Sequence, residues 1–308
     1  MPLQSESAAV SAKRPTVFIH TNHKQYVGAL VSAHSMRRNS AHADKFDVEL
    51  IKLEDWKDFF APYEGRDYLR DGVSRTWLYD DLQSFTPLRF TPPELMGYEG
   101  RAVVVDPDVF AVKDIWELLD RDMEGKAIWC CEKSGHPASS VMLLDCAKLT
   151  HWKLKDDFDA LFQRQREYKK WMNLGYEDKD SIGILGHEWN DFDKLRPETR
   201  MIHNTKRKTQ PWKTGLPVDF VPAEGNPYSV MAWIMYLRRR LFGPYAFLGN
   251  YKAHPDKAQE NLFFGLLKEC LENGTITEDL LREHMKENHV RHDAFEIVEK
   301  VPDLPKAA

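Results

Sequence analysis

Apolar and polar positions along the chain alternate between short β-branched runs and amphipathic stretches. Thr16-Val17-Phe18-Ile19-His20-Thr21 reads as a first strand. After the polar Asn22-His23-Lys24-Gln25, residues Val27, Leu30, Val31 and His34 recur at helical spacing within 26–36. Residues 46–53 alternate apolar and polar and predict a second strand. Strand, loop, amphipathic helix and strand make the opening of a doubly wound sheet. Residues 54–84 have no clean period and read as helical pieces and loop. Residues 101–105 form a buried strand that runs straight into Asp106-Pro107-Asp108, with a helix start expected directly beyond. Two more buried strands are expected at 127–131 and 141–144, joined by the polar 132–140. A charged helix follows over 149–173, and then an irregular segment at 175–193 of the kind that lines a cleft. Residues 213–225 are rich in Pro and Gly and read as a connection, and the chain is helical from about residue 227. The expected organisation is a disordered leader at 1–15, an α/β domain at 16–215 and a helical region at 216–308.

Length and composition narrow the function classes. A chain of 308 residues with 12 % aromatics can bury a substantial core. Lys+Arg 43 against Asp+Glu 48 leaves a slight acidic excess. A surface that tracks phosphate backbones needs the opposite balance, so nucleic acid is not an expected partner. Cys130, Cys131, Cys146 and Cys270 have neither disulfide nor zinc spacing and read as core thiols of a reducing compartment. Residues 1–15 lack the apolar stretch of a signal peptide, so a cytoplasmic location is expected. One stretch, 228–237 followed by Arg238-Arg239-Arg240, is short for a membrane span. It reads either as a peripheral membrane contact or as a buried or dimer-forming helix.

The candidate chemistry begins at Asp106-Pro107-Asp108. In an open α/β sheet, ligands bind outside the carboxyl ends of the strands, and two hard oxygen donors there suit a divalent cation bridging to phosphates. Read alone, the pair is equally an acidic turn after a strand. Two carboxylates do not fill such an ion's shell. The best third ligand is His203, which follows Met201-Ile202 and precedes Lys206, Arg207, Lys208 and Lys213. Those cations suit phosphates, although a solvated basic loop with an incidental histidine has the same composition.

Asp106-Pro107-Asp108 taken with His203-Asn204-Thr205 and Gln210-Pro211-Trp212 resembles the family 8 glycosyltransferases, over about residues 16–215. The resemblance implies a GT-A (Rossmann-like) fold: a mixed, mostly parallel sheet flanked by helices, here with a helical C-terminal extension. It implies Asp106, Asp108 and His203 as ligands of Mn²⁺ (or Mg²⁺), and Thr21, Asn22 and Tyr26 as the opening loop that holds the uracil of a UDP-sugar. It implies Arg89 as a donor contact, and Asp178 and Asp180 as groups on the donor sugar. Departures from the family pattern are Ala138 for an Asn, Lys179 for a Gln, Gly186 for a Pro and Gln210 for the Lys before Pro-Trp. Lys206, Lys208 or Lys213 is then expected to take over the diphosphate contact.

The implied activity is a metal-dependent, retaining transfer of a sugar from UDP to an acceptor hydroxyl, the acceptor being a saccharide, a lipid-linked or a small molecule. A nucleotidyltransferase that makes a nucleotide sugar is the first alternative. It needs a Gly-rich loop after the first strand, and Asn22-His23-Lys24-Gln25 has none. A nucleotide-sugar-binding protein without turnover is the second, and a homodimer is compatible with all three.

Overall fold

The computed structural model describes residues 13–220, 230–243 and 245–305. Most of the expected leader, residues 1–12, lies outside the described residues. The elements in order are β1 (Thr16–Thr21), α1 (Tyr26–Arg38), β2 (Asp47–Lys52), α2 (Lys57–Phe60), β3 (Asp67–Arg70), β4 (Val73–Thr76) and α3 (Pro92–Leu95). Then come β5 (Arg101–Val105), β6 (Val109–Ala111), α4 (Trp116–Leu119), β7 (Ile128–Lys133), β8 (His136–Asp145), α5 (Leu154–Phe162) and α6 (Tyr168–Met172). The chain continues through β9 (Ile182–Ile184), β10 (Asp191–Phe192), β11 (Met201–His203), α7 (Val230–Phe242), α8 (Lys257–Glu272), α9 (Glu278–Lys286) and α10 (Ala294–Lys300).

Six strands form the main sheet in the order β2-β1-β5-β8-β7-β9. Neighbours are parallel except at β5–β8 and β8–β7, so the sheet is mixed and mostly parallel, as expected. Both faces are covered. Val104, Met142 and Phe18 point into one apolar cluster, and Val103, Val105 and Leu143 into the other. Burial on both faces explains why β5 reads Ala-Val-Val-Val without polar interruption.

The structure corrects several local expectations. Residues 54–84 contain the hairpin β3–β4, whose turn is Asp71-Gly72 with φ of +54° and +71°. Asp-Gly between two short runs is the sequence signature of a two-residue hairpin loop, and it was readable. The polar 132–140 stretch is a continuation of β7 and β8 around a turn at Ser134 and Gly135. The charged helix of 149–173 is two short helices, α5 and α6.

The correction that matters most follows the acids. The expected helix start after Asp108 is instead the buried strand β6, which pairs antiparallel with β11 and places Val109 opposite His203. Nor is the helical region after residue 216 packed on its own. Val27, Phe110 and Trp212 share one apolar cluster with Phe263, Phe264 and Leu267 of α8, so its core runs across the expected boundary.

Candidate metal centre

The parallel register of β1 and β5 pairs Ile19 with Val105, so both strands deliver their carboxyl ends to the same edge. The next residues, His20 and Asp106, therefore meet there. The Asp106 N–H donates to Ser140 C=O at 3.0 Å, which continues the β5–β8 ladder by one bond. Asp108 is held differently, its carbonyl accepting from the Asn204 N–H at 3.0 Å. Gly28 of α1 lies under this turn. A Cβ there would sit 3.1 Å from the Pro107 carbonyl oxygen, so a side chain would require the helix and the acidic loop to part by a few tenths of an ångström.

Three ligand atoms converge. His203 Nε2 lies 3.3 Å from Asp108 Oδ1 and 3.9 Å from Asp106 Oδ2, and all three residues are largely shielded from solvent. In each residue the other polar atom is already held. Asp106 Oδ1 accepts from Arg89 at 2.7 Å and lies 3.0 Å from His20 Nε2. Asp108 Oδ2 accepts from Gln210 Nε2 at 3.1 Å. Asn190 Nδ2 donates to Ser140 Oγ at 2.9 Å, which turns Asn190 Oδ1 toward His203 Nδ1, also at 2.9 Å. Nδ1 is thus turned to the Asn190 oxygen, and Nε2 faces the two acids. Partners of this kind orient metal ligands and fix their tautomers.

The electrostatics agree with the geometry. Burial alone would raise the Asp106 carboxyl, but the Arg89 guanidinium beside it outweighs burial and holds it well below the usual carboxylate range. Burial lowers His20, against the pull of Asp106, so its fully buried ring is neutral. This donor set of hard oxygens with one imidazole nitrogen suits a divalent ion.

The remaining expected site residues divide. Arg89 reaches the cluster, but as a partner of Asp106 and of Ser139 Oγ (2.6 Å). Thr21 and Asn22 are buried. The Thr21 hydroxyl donates to Asn22 C=O, while the Asn22 amide ties β1 to residues 81–84. Tyr26 is half-buried, its ring against His284 at 5.8 Å. Lys206 and Lys208 are exposed on the segment after His203 and make no ion pair among the described residues.

Lys213 is not available in the same way. It is fully buried, with Nζ 2.7 Å from Asp219 Oδ2. Asp178 and Asp180 are not brought to the cluster at all. The ladder Ile182–Ile128–Leu144–Ala102 sets the start of β9 level with the amino end of β5, whereas Asp106 leaves from the carboxyl end. Both acids are exposed on that far edge, where Asp178 Oδ1 accepts from the Asp180 N–H.

Sequence reasoning did not assign roles to His20 and Asn190. Arg207 is half-buried over the Phe220 ring, and burial first, then Arg70, lowers its guanidinium while Asp81 and Asp108 act in the other direction. It lies within electrostatic reach of Asp108. Only Asn190, in Trp189-Asn190 at the end of the irregular segment, had a sequence signal. The four cysteines are buried and unbridged, and burial raises Cys130 to about 12, in keeping with core thiols.

No protein-family model matches the sequence, and no curated protein matches it either. Solved structures do. The apo form of the glycosyltransferase GlyE of Streptococcus pneumoniae TIGR4 aligns at 15 % identity over 65 % of this chain and 56 % of that one, with a TM-score of 0.45. The galactosyltransferase LgtC, in complex with donor and acceptor sugar analogues, aligns at 12 % over 64 % and 89 %, with a TM-score of 0.45. Mouse xyloside xylosyltransferase 1 aligns at 13 % over 62 % and 98 %, with a TM-score of 0.42. The chain thus spans about half the length of the pneumococcal structure. These are likenesses of fold.

Proposed function

We propose that this chain is a metal-dependent glycosyltransferase that moves a sugar from UDP to an acceptor hydroxyl with retention. The observation that carries the reading is the Asp106–Asp108–His203 cluster, in which every ligand has its second polar atom fixed by a neighbour. Those three residues would hold Mn²⁺ or Mg²⁺. The ion, when bound, supplies Lewis-acid stabilisation to the departing diphosphate. Lys206 and Lys208, exposed and next to the cluster in sequence, would meet the phosphates, with Arg207 adding positive potential beside Asp108. With the Thr21 hydroxyl and the Asn22 amide engaged inside the chain, the half-exposed Tyr26 would offer its ring to the base.

Retention follows from the sequence resemblance. Asp178 and Asp180 lie toward the opposite end of the sheet from Asp106, which supports a course without a nucleophile from the chain. The acceptor oxygen would then attack on the face that UDP leaves. The new glycosidic bond forms as the bond to UDP breaks, and a diphosphate oxygen takes the acceptor proton. Trapping a covalent glycosyl adduct on the chain would overturn that course.

The test is a thermal-shift and UDP-release panel of UDP-sugars with and without Mn²⁺. A donor should raise the melting temperature only with metal, because ligand binding stabilises in proportion to affinity. Release of UDP supports the reading. Release of pyrophosphate from a nucleoside triphosphate and a sugar phosphate would replace it by nucleotidyl transfer, and metal-dependent binding without release of either product across a panel of acceptors would reduce the chain to a binding protein.

A further inference from the structure

A second set of metal-binding side chains lies at the other end of the chain, away from the acidic strand. α9 closes at Lys286, and Asn288, at φ +60°, reverses the backbone. The N–H groups of His289 and Val290 then both reach the His284 carbonyl, at 2.8 and 3.2 Å. This fold-back brings His289 over the last helical turn. His284 Nδ1 and His289 Nδ1 stand 3.1 Å apart, and Glu287 Oε2 is 3.2 Å from His289 Nδ1. All three ligand atoms lie within 4.8 Å of one another.

Those separations are near what one ion requires. Ligands about 2.0–2.2 Å from a tetrahedral zinc stand roughly 3.4 Å from each other. Without an ion the contacts are awkward, because a single Nδ1 proton on His289 would have to serve both Glu287 and His284. Both rings are largely buried. The edge of the His23 ring, at 5.2 Å from His289, and the Tyr26 ring, at 5.8 Å from His284, close one side.

We propose that His284, Glu287 and His289 form a second metal site, specific for a borderline transition ion such as zinc, with three protein ligands and an open position. Two imidazoles and one carboxylate select zinc or cobalt over manganese or magnesium, the reverse of the carboxylate-rich Asp106–Asp108–His203 set. An ion there would pin the end of α9 to its own turn and fix the two rings against which His23 and Tyr26 rest. The site stands whether or not the chain transfers sugars.

The experiment uses the full chain, stripped with a chelator, in an Asp106→Asn/Asp108→Asn background that disables the first cluster. Zn²⁺ is titrated by calorimetry and Co²⁺ by visible absorption. One equivalent should bind, with the intense bands of four-coordinate cobalt, and His284→Gln/His289→Gln in the same background should abolish it. Glu287→Gln alters an exposed side chain and should weaken zinc ~10-fold or more while far-UV circular dichroism stays unchanged. Absence of a saturable equivalent in the Asp106→Asn/Asp108→Asn protein overturns the proposal, as does binding that survives loss of both histidines. If the double histidine variant fails to fold, an unaltered zinc affinity in Glu287→Gln decides against the site.

Discussion

At Asp108, Gln210 holds one carboxylate oxygen and leaves the other facing His203, and Arg89 does the same for Asp106. The consequence is that neighbours, as well as ligands, set metal affinity. Asn190→Ala should weaken Mn²⁺ binding about 10- to 100-fold, since His203 loses the acceptor that fixes its tautomer. It should also cost about 1–3 kcal/mol of stability, because His203 Nδ1 and Ser140 Oγ are left buried and unpaired. Calorimetric metal titration and denaturant unfolding measure the two effects separately. Asp108→Asn should abolish metal-dependent donor binding with the far-UV spectrum unchanged. If that variant keeps full Mn²⁺-dependent affinity, the two acids are only a turn. Asp106 and Asp108 were legible in the sequence because paired acids after a β-branched run form a local pattern. Asn190 and Gln210 act from 13 residues before His203 and 102 residues after Asp108, separations at which one sequence carries no partner information.

Among the elements, β6 and α8 do what the sequence pattern did not foretell. Val109-Phe110-Ala111 is too short to show a period, so its strand character rests on pairing with β11, and that pairing is what carries His203 to the acids. α8 braces the same loop through the amide of Asn204, which donates to Gln259 Oε1 at 2.6 Å. Its last turn is tied to α1, where Glu269 accepts from Arg38 at 2.7 Å and lies 2.8 Å from His34. Burial alone would raise Glu269, but Arg38 and His34 outweigh it and hold the carboxyl below its ordinary 4.5. A group depressed on folding stabilises above its unfolded value and loses that contribution as pH falls through the folded one. The Glu269 link is therefore intact at neutral pH and fades below about pH 4.5. Glu269→Gln should lower the melting temperature at pH 7 and flatten its fall on acidification. Parallel acid limbs for the two proteins would show that the link contributes nothing.

Across the whole molecule, the chain presents its candidate chemistry at one edge of the main sheet and an apolar helix face elsewhere. Trp233, Ile234, Leu241 and Phe242 of α7 are exposed, so the expectation that this stretch is a buried helix does not hold for the chain alone. Residues 228 and 229 of the stretch lie outside the described residues. No helix among the described residues is long and apolar enough to cross a membrane. Exposed apolar area of this kind supports a peripheral surface contact. Co-sedimentation with liposomes should rise with anionic lipid and fall in Trp233→Ser/Phe242→Ser. Binding indifferent to lipid charge, together with a dimer by light scattering that the same substitutions break, would assign the face to a second copy.

The sequence by itself determined the α/β class, the sheet strands β1, β2 and β5, the helical C-terminal region and the identity of the three candidate ligands. Each of these is written in local periodicity or in a short motif, where neighbouring residues report on one another. Only the tertiary structure decided that Asp178 and Asp180 lie toward the opposite end of the sheet from Asp106, that Lys213 is occupied by Asp219, and that His284, Glu287 and His289 meet. Strand register and backbone reversal set those outcomes. A register is fixed by the packing of two whole faces, and no single stretch of residues contains it.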